Sequence, residues 1–596
     1  MQTTAILEDH LKKWFGYNTF RPHQKEIVEG ILNKKDVLAI LPTGAGKSLC
    51  YQLPAMLMEG TAIVVSPLIS LMQDQVSALT KTGIPAAYVN SSLPLSELFD
   101  VLSDLQRYKL LYIAPERFGD LNFLNRLKEM PLSFFVIDEA HCISQWGHSF
   151  RPDYRQLSLI KKTFPDMPLM ALTATATPEV EADIADQLVM KNPFISKGSF
   201  DRPNLLIRIN TKSYPYGQIT TFLKDRKEQS GIIYAATRKT VDTLYDDLKH
   251  EGYNVGKYHA GLNDKERSDT LHNFIHDKTS LMVATVAFGM GINKPDVRFI
   301  LHHDMPKNIE QYYQEIGRAG RDGLPAECLM LYSGKELMTY QFFLKEIEDP
   351  VIRGKMDMKT EFMYSFCRSS TCRRKELLRY FGEQYHSTDC NGCDNCNDDV
   401  EKVDGTITAQ KILSCVYRLK ERFGAVHVID VLRGSKNKKV FQNGHDQLST
   451  YNLMPEFSEI ELRSYIESLI VMSFLENSND DYRVLKLTDT SRGVLRGETK
   501  VIFRKKVFKE SKKEMSQLPY NKTLFNQLRQ LRLEVSLEEG LPPFSVFSDR
   551  SLFEMATYFP QSDKEFIGIN GVGRFKLQAY GGRFLKLIRD FCATRK

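Results

Sequence analysis

The stretch VLAILPTGAGKS, residues 37–48, decides how the rest of the chain is read. Val37 to Ile40 is an unbroken apolar run, the composition of a strand buried on both faces. It feeds a turn of small residues, and Gly46-Lys47-Ser48 then opens a helix. Successive backbone N–H groups in such a turn close around phosphate oxygens, and the helix N-terminus adds a favourable dipole. Lys47 would reach the β- and γ-phosphates of ATP and the Ser48 hydroxyl would bind Mg²⁺, with Thr43, Gly44 and Gly46 completing the cradle. The strict pattern has a small residue five positions before Gly46, where this chain has Leu41.

Downstream, FFVIDEAH at 134–141 is an apolar strand running directly into paired carboxylates. Asp138 is placed to hold Mg²⁺ and Glu139 to polarise the attacking water, with His141 beside them in the catalytic set. Leu172-Thr173-Ala174-Thr175-Ala176 is a hydroxyl-rich turn after another apolar strand, of the sort that senses nucleotide or strand state; as an isolated string it is equally a plain loop. From about residue 24 to 340, β-branched runs such as 62–65, 134–137, 231–234 and 281–284 alternate with helical stretches. That rhythm predicts stacked βαβ units in two parallel-sheet lobes, divided near Ser199–Asn204.

In the second lobe, QYYQEIGRAGRDG at 311–323 carries Arg318 and Arg321 between glycines that an ordinary exposed helix would not favour. An arginine supplied from a facing lobe stabilises phosphoryl-transfer charge by ~10³–10⁵ in rate. Arg321 is the candidate finger and Arg318 its neighbour.

The 596 residues are too many for one core, and 42% hydrophobic with 26% charged is an ordinary globular composition. No apolar run reaches the ~18–20 residues needed to span a bilayer. The N-terminus lacks the pattern of a secretory signal, so a cytoplasmic location is expected. The net charge of +6 fits a polyanionic partner without establishing one. Of ten cysteines, Cys372, Cys390, Cys393 and Cys396 fall within 25 residues. Four thiolates with tight C-x₂-C spacing suit a closed, structural Zn²⁺ site, and Cys₄ ligation also permits an iron–sulfur cluster.

The order of blocks is PTGAGKS, SPLISLMQDQ, APER, DEAH, LTATA, Tyr258–Gly261, VATVAFGMGINKPDVR and QxxGRAGRDG. It resembles superfamily 2 helicases, and specifically the RecQ family of ATP-dependent DNA helicases. Two segments point to RecQ over RNA-remodelling DEAH enzymes. One is FGYNTFRPHQ at 15–24, similar to the family's adenine-recognition motif. The resemblance implies that Tyr17 stacks on the base, Gln24 pairs with its edge and Arg21 reaches the phosphates. The other is SQWGHSFRP at 144–152. Interleaved aromatic and Arg side chains give bases a stacking face worth ~1–3 kcal/mol each. The resemblance makes this loop, with Trp146, His148, Phe150 and Arg151, the DNA sensor; a core aromatic cluster is the plain alternative.

The resemblance covers nearly the whole chain and implies five domains with a linker. They are RecA-like lobes at 1–205 and 206–343, a zinc-binding subdomain at 344–402 and a winged helix (RQC) at 403–498. A basic linker at 499–515 and a helical HRDC bundle at 516–596 follow. The expected fold is therefore multidomain α/β. Strands around 474–476 and 484–487 would form the winged-helix hairpin, with Tyr482 either its DNA-separating wedge or a packed aromatic. The implied activity is ATP-, Mg²⁺- and Zn²⁺-dependent unwinding of duplex DNA, moving 3′ to 5′ on single strands in recombination and repair. Expected partners are single-stranded and duplex DNA, single-strand-binding protein and recombination factors, with no membrane. Two rival readings are an RNA-remodelling ATPase and a DNA-binding scaffold with a decayed ATPase.

Overall fold

The computed structural model describes residues 2–89, 101, 104–144, 151–289, 294–369, 371–387, 389–397, 400–472, 474–478, 484–506 and 520–594. Apolar runs of four to seven residues with little alternation dictate buried parallel strands, and two sheets result. The first contains β1 (Val37–Ile40), β2 (Thr61–Val65), β3 (Ala86–Val89), β4 (Leu110–Ile113), β5 (Leu132–Ile137), β6 (Leu169–Thr173) and β7 (Phe194–Lys197). Its order is β3-β4-β2-β5-β6-β1-β7, with every pairing parallel. Parallel neighbours need crossovers, which the intervening helices supply. As a result β5, β6 and β1 are adjacent, so the DEAH, LTATA and phosphate-loop segments leave the sheet side by side. Open parallel sheets bind ligands beyond these carboxyl ends.

The second sheet contains β8 (Leu205–Thr211), β9 (Gly231–Tyr234), β10 (Val255–Tyr258), β11 (Leu281–Ala284), β12 (Phe299–His302) and β13 (Ala326–Tyr332). Its order is β10-β11-β9-β12-β13-β8, also parallel throughout. The helix Ile309–Ile316 follows β12 and leads into the turn that holds Arg318 and Arg321. The C-terminal helices Lys522–Glu539, Asp549–Tyr558 and Gly582–Ala593 bury Leu524, Leu528, Leu552, Phe584 and Ile588 in a core of their own.

The two sheets and the C-terminal bundle belong to one compact unit. Residues 361–376 and 386–513 form the other. In it the helices Thr406–Arg418, Ala425–Leu432 and Glu459–Val471 pack around Ile412, Val416, Leu432, Leu462 and Leu469. The antiparallel pair β15 (Leu475–Asn477) and β16 (Leu485–Leu487) forms the expected hairpin, with Leu475 and Leu485 buried in that core.

The segment expected to be a linker from residue 499 departs from that reading. Ile502–Lys506 is a strand (β17) pairing antiparallel with Val400–Asp404 (β14). Val501 and Phe503 are buried, because two apolar side chains among the lysines anchor the strand to the winged-helix core. Residues 507–519, the rest of the basic stretch, lie outside the described residues.

Candidate functional site

The phosphate loop is shaped from behind. Gly46 caps the helix Lys47–Leu57 at φ +82°, a left-handed conformation that glycine adopts without strain. Buried Gln24 sits against it, and a Cβ at position 46 would come within 2.5 Å of the Gln24 Nε2. That Nε2 donates to the Ala45 and Gly46 carbonyls at 3.0 and 3.1 Å, and Oε1 accepts the Arg21 N–H at 2.9 Å. The Arg21 guanidinium donates to the Gly44 carbonyl. The carboxamide expected on the edge of adenine is therefore engaged with the loop itself. Tyr17 is exposed and borders a cavity of about 280 Å³ shared with Glu554, Ile569 and Asn570 of the C-terminal bundle. Lys47 folds back over its loop, with Nζ 3.5 Å from the carbonyl of buried Leu41.

The acid pair stands at the end of β5. Asp138 is buried, its Oδ1 accepts the Glu139 N–H at 2.9 Å, and its carbonyl accepts the Tyr154 hydroxyl at 3.0 Å. Burial first, and Glu139 second, push the Asp138 carboxyl well above the usual carboxylate range, while Lys47 pulls it down. Glu139 turns the chain at φ +48°, a conformation costly for a non-glycine residue and typical of functional turns. His141 lies 3.3 Å from the Glu139 Oε2, and its Nδ1 is 3.0 Å from the Thr173 hydroxyl. Thr173 in turn donates to the Thr175 carbonyl at 3.2 Å. The hydroxyl-rich turn is thus wired to the acid pair.

The second sheet meets this arrangement from the other side. Gln314 donates to the Thr175 hydroxyl at 3.2 Å. Arg318 is buried and donates to the Gly289 carbonyl. Arg321 lies against the phosphate loop, where a Cβ on Gly44 would stand 3.6 Å from its Cα. Burial, then the charges of Arg318 and Arg202, pull Arg321 down to about 9. A guanidinium still carries its charge at neutral pH. Cations gathered this way beside a Gly-rich loop suit a polyanion. Arg202 belongs to this cluster, and nothing local in the sequence marks it.

Trp146, His148 and Phe150 lie outside the described residues. The ends of their loop are pinned, since the Arg151 N–H donates to the Cys142 carbonyl at 2.9 Å. The Arg151 guanidinium donates to the Pro67 carbonyl at 2.9 Å. The loop therefore leaves and rejoins the fold within a few residues of Asp138. Tyr482 also lies outside the described residues. In the bundle, Arg583 pairs with Glu538, Lys576 Nζ lies 5.6 Å from the Phe547 ring centre, and Arg574 is exposed.

The cysteines converge. The Sγ atoms of Cys372, Cys390, Cys393 and Cys396 all lie within 4.8 Å of one another. Tetrahedral Zn–S bonds of ~2.3 Å put sulfurs ~3.8 Å apart, so the donor set fits Zn²⁺. Buried Arg373, next to Cys372, donates from Nε to Asp394, next to Cys393, at 3.0 Å. Asn395 Nδ2 ties the Ser369 and Thr371 carbonyls at 2.9 and 2.6 Å. These bonds hold the two ends of the cluster together around the thiolates.

Comparison with known proteins agrees with this geometry. Residues 21–183 match the DEAD/DEAH box helicase family and 216–323 the helicase conserved C-terminal domain. RecQ zinc-binding matches 335–397, the RQC domain 399–512 and the HRDC domain 521–588. The ATP-dependent DNA helicase RecQ of Bacillus subtilis (strain 168) is 42% identical, covering 98% of both chains. That of Haemophilus influenzae is 42% identical over 97% of this chain and 95% of its own. The ATP-dependent DNA helicase Q-like 4B of Arabidopsis thaliana is 34% identical over 98% of this chain and 56% of its own. Among the described residues, no helix is long and apolar enough to cross a membrane.

Proposed function

The chain belongs to the RecQ family of ATP-dependent DNA helicases, and from that premise we propose that it moves 3′ to 5′ on single-stranded DNA and serves recombination and repair. The observation that carries the motor reading is the meeting of two sheets at one cleft. Lys47, Asp138 and Glu139 come from the first, and Arg318 and Arg321 from the second.

In this reading ATP lies on the Thr43–Ser48 loop with Lys47 against its β- and γ-phosphates. Ser48 and Asp138 would hold Mg²⁺, which draws charge from the phosphate oxygens when bound. A buried carboxyl pushed up by desolvation and by Glu139 is a fitting ligand, because a divalent cation stabilises its charged form. Glu139, held by His141, orients the attacking water. Arg321 meets the charge that develops on the γ-phosphate, and Arg318 keeps the turn in place. Hydrolysis loosens the cleft, and alternate closing and opening steps the strand.

Coupling to DNA is assigned to the loop of Trp146, His148, Phe150 and Arg151. Stacking of bases there acts on a segment pinned beside Asp138, so strand contact is felt at the acid pair. The hairpin is assigned to strand separation with Tyr482 at its joint. Single-strand-binding protein and recombination factors are the partners this role implies.

The test is ATP hydrolysis without nucleic acid, with single-stranded DNA and with RNA, using Lys47→Ala as blank, followed by unwinding of forks with 3′ or 5′ tails. Strong DNA stimulation and unwinding from the 3′ tail are expected. Greater stimulation by RNA, or unwinding only from the 5′ tail, would defeat the proposal.

A further inference from the structure

Residues 198–204 join β7 to β8 and contain the stretch Ser199–Asn204, near which the sequence places the division of the lobes. Arg202 sits in the middle of this joint. Its Nη1 donates to the Thr43 carbonyl at 2.9 Å and the Gly317 carbonyl at 3.4 Å. Its Nη2 donates to the Ala319 and Gly320 carbonyls at 2.8 and 2.9 Å. Its Nε reaches the Asn204 Oδ1 at 3.4 Å, and Asn204 Nδ2 donates to the Gly320 and Leu324 carbonyls at 2.9 Å each. Thr43 belongs to the phosphate loop. Gly317, Ala319 and Gly320 are the backbone between and beside Arg318 and Arg321.

One guanidinium thus grips the main chain of both halves of the cleft. Burial pulls Arg202 down from its ordinary value, and among the described residues its partners are backbone carbonyls and an amide rather than a carboxylate. Carbonyls just past the end of helix Ile309–Ile316 carry partial negative charge and compensate the cation. Only a rigid fork of five donors spans such a set; an ammonium group on a flexible stem does not. The two halves also touch here, since a Cβ on Gly317 would stand 3.1 Å from the Thr43 hydroxyl oxygen.

We infer that Arg202 is a positioning residue for hydrolysis, a clasp that ties the Thr43 carbonyl to the 317–320 turn so that closing the cleft and delivering Arg321 are one event. The inference rests on the proposed reading of the cleft as the ATP site. It acts through the main chain that carries Lys47 and Arg321. Without the clasp, ATP still finds Lys47 and its loop, but Arg321 arrives out of place. A displacement of about 1 Å costs on the order of 10²-fold in rate.

The experiment uses the full chain with Arg202→Gln, Arg202→Lys and Gly317→Ala, the last keeping Arg202 but wedging the joint. DNA-stimulated kcat and KM for ATP are measured. So is the affinity of a fluorescent ADP with and without aluminium fluoride, which mimics the transferring phosphoryl group. Melting temperature reports folding. The expected result is a fall in kcat of about a hundredfold with KM changed far less, and loss of the tighter binding that aluminium fluoride confers on the wild type. Lysine at 202 behaves like glutamine, and Gly317→Ala loses the same preference even if the Arg202 variants fold poorly. Retained preference for the fluoride complex in folded Arg202→Gln or in Gly317→Ala overturns the inference, as does full rescue by lysine. Losses of activity and binding in Gly317→Ala that only follow its lost folded protein overturn it too. A wild-type chain without DNA-stimulated turnover would overturn the reading of the cleft along with it.

Discussion

The nucleotide cleft and the four-cysteine centre are built on opposite principles. The cleft collects Gln24, Lys47, Asp138, Thr175, Arg202 and Arg321 from positions spread over most of two lobes. Each is carried on or beside a parallel sheet whose strands are buried in an apolar core of their own. The cysteines fall within 25 residues, and the elements that carry or adjoin them, Arg373–Tyr380 and Asp394–Asn397, are helices of eight and four residues that a bound metal would tie together. A site mounted on an independent scaffold can lose its chemistry and keep its fold. A site that is its own scaffold loses both together.

Breaking the centre should give the largest energetic effect. Structural zinc contributes roughly 10–16 kcal/mol of apparent binding free energy, and that is folding free energy. Cys393→Ser, or chelation, is expected to release the metal and expose residues 371–397 to protease, read by zinc content and limited proteolysis. A metal-free variant as resistant as the wild type would erase the contrast. Arg321→Ala comes next, with kcat expected to fall by about 10³–10⁵ and the melting temperature changed little. Burial, then the charges of Arg318 and Arg202, oppose the cation it removes, which limits the loss of stability. Collapse of the fold in that variant would make the cleft as structural as the cysteines.

Gln24→Ala probes a smaller step, the support behind the loop. It leaves the Ala45 and Gly46 carbonyls without their donor, a cost of about 1–3 kcal/mol. KM for ATP is expected to rise about tenfold with kcat less affected; an unchanged KM would mean the loop holds its shape without the amide.

For Asp138 the expectation is one of sign. Burial raises its folded carboxyl above the ordinary 3.8, so the folded state keeps a proton over a window where the unfolded chain has released it. Stability therefore falls as pH rises through that window. Asp138→Asn removes the penalty and should melt higher than the wild type near pH 8 without nucleotide, with the advantage shrinking toward about pH 4. An advantage that grows on acidification would reverse the assigned sign.

Much of the fold was legible because it depends on local composition. The runs at 37–40, 62–65, 134–137, 231–234 and 281–284 are the strands the pattern predicts. The hairpin is at 475–477 and 485–487, close to its expected span. The stretch CRRKELLRYFGE at 372–383 is amphipathic as a string, and its apolar residues Leu377, Leu378 and Phe381 are buried. The basic stretch misled, because seven lysines and arginines outweighed Val501 and Phe503, the two side chains that pack. Gln24 was legible as a participant but not in its posture, since its partners lie 21 and 22 residues away.

The sequence by itself determined the kinds of chemistry present: a phosphate loop, a strand-end acid pair, a paired-arginine turn and a Cys₄ set. Each depends on residues close together in the chain, and local backbone geometry follows from local sequence. Only the tertiary structure decided how these parts meet. The order β5-β6-β1 sets the acids beside the loop, and Arg202 draws together carbonyls at 43, 317, 319 and 320. Backbone carbonyls carry no side-chain signature, and contacts made across such separations leave no spacing for a sequence to display.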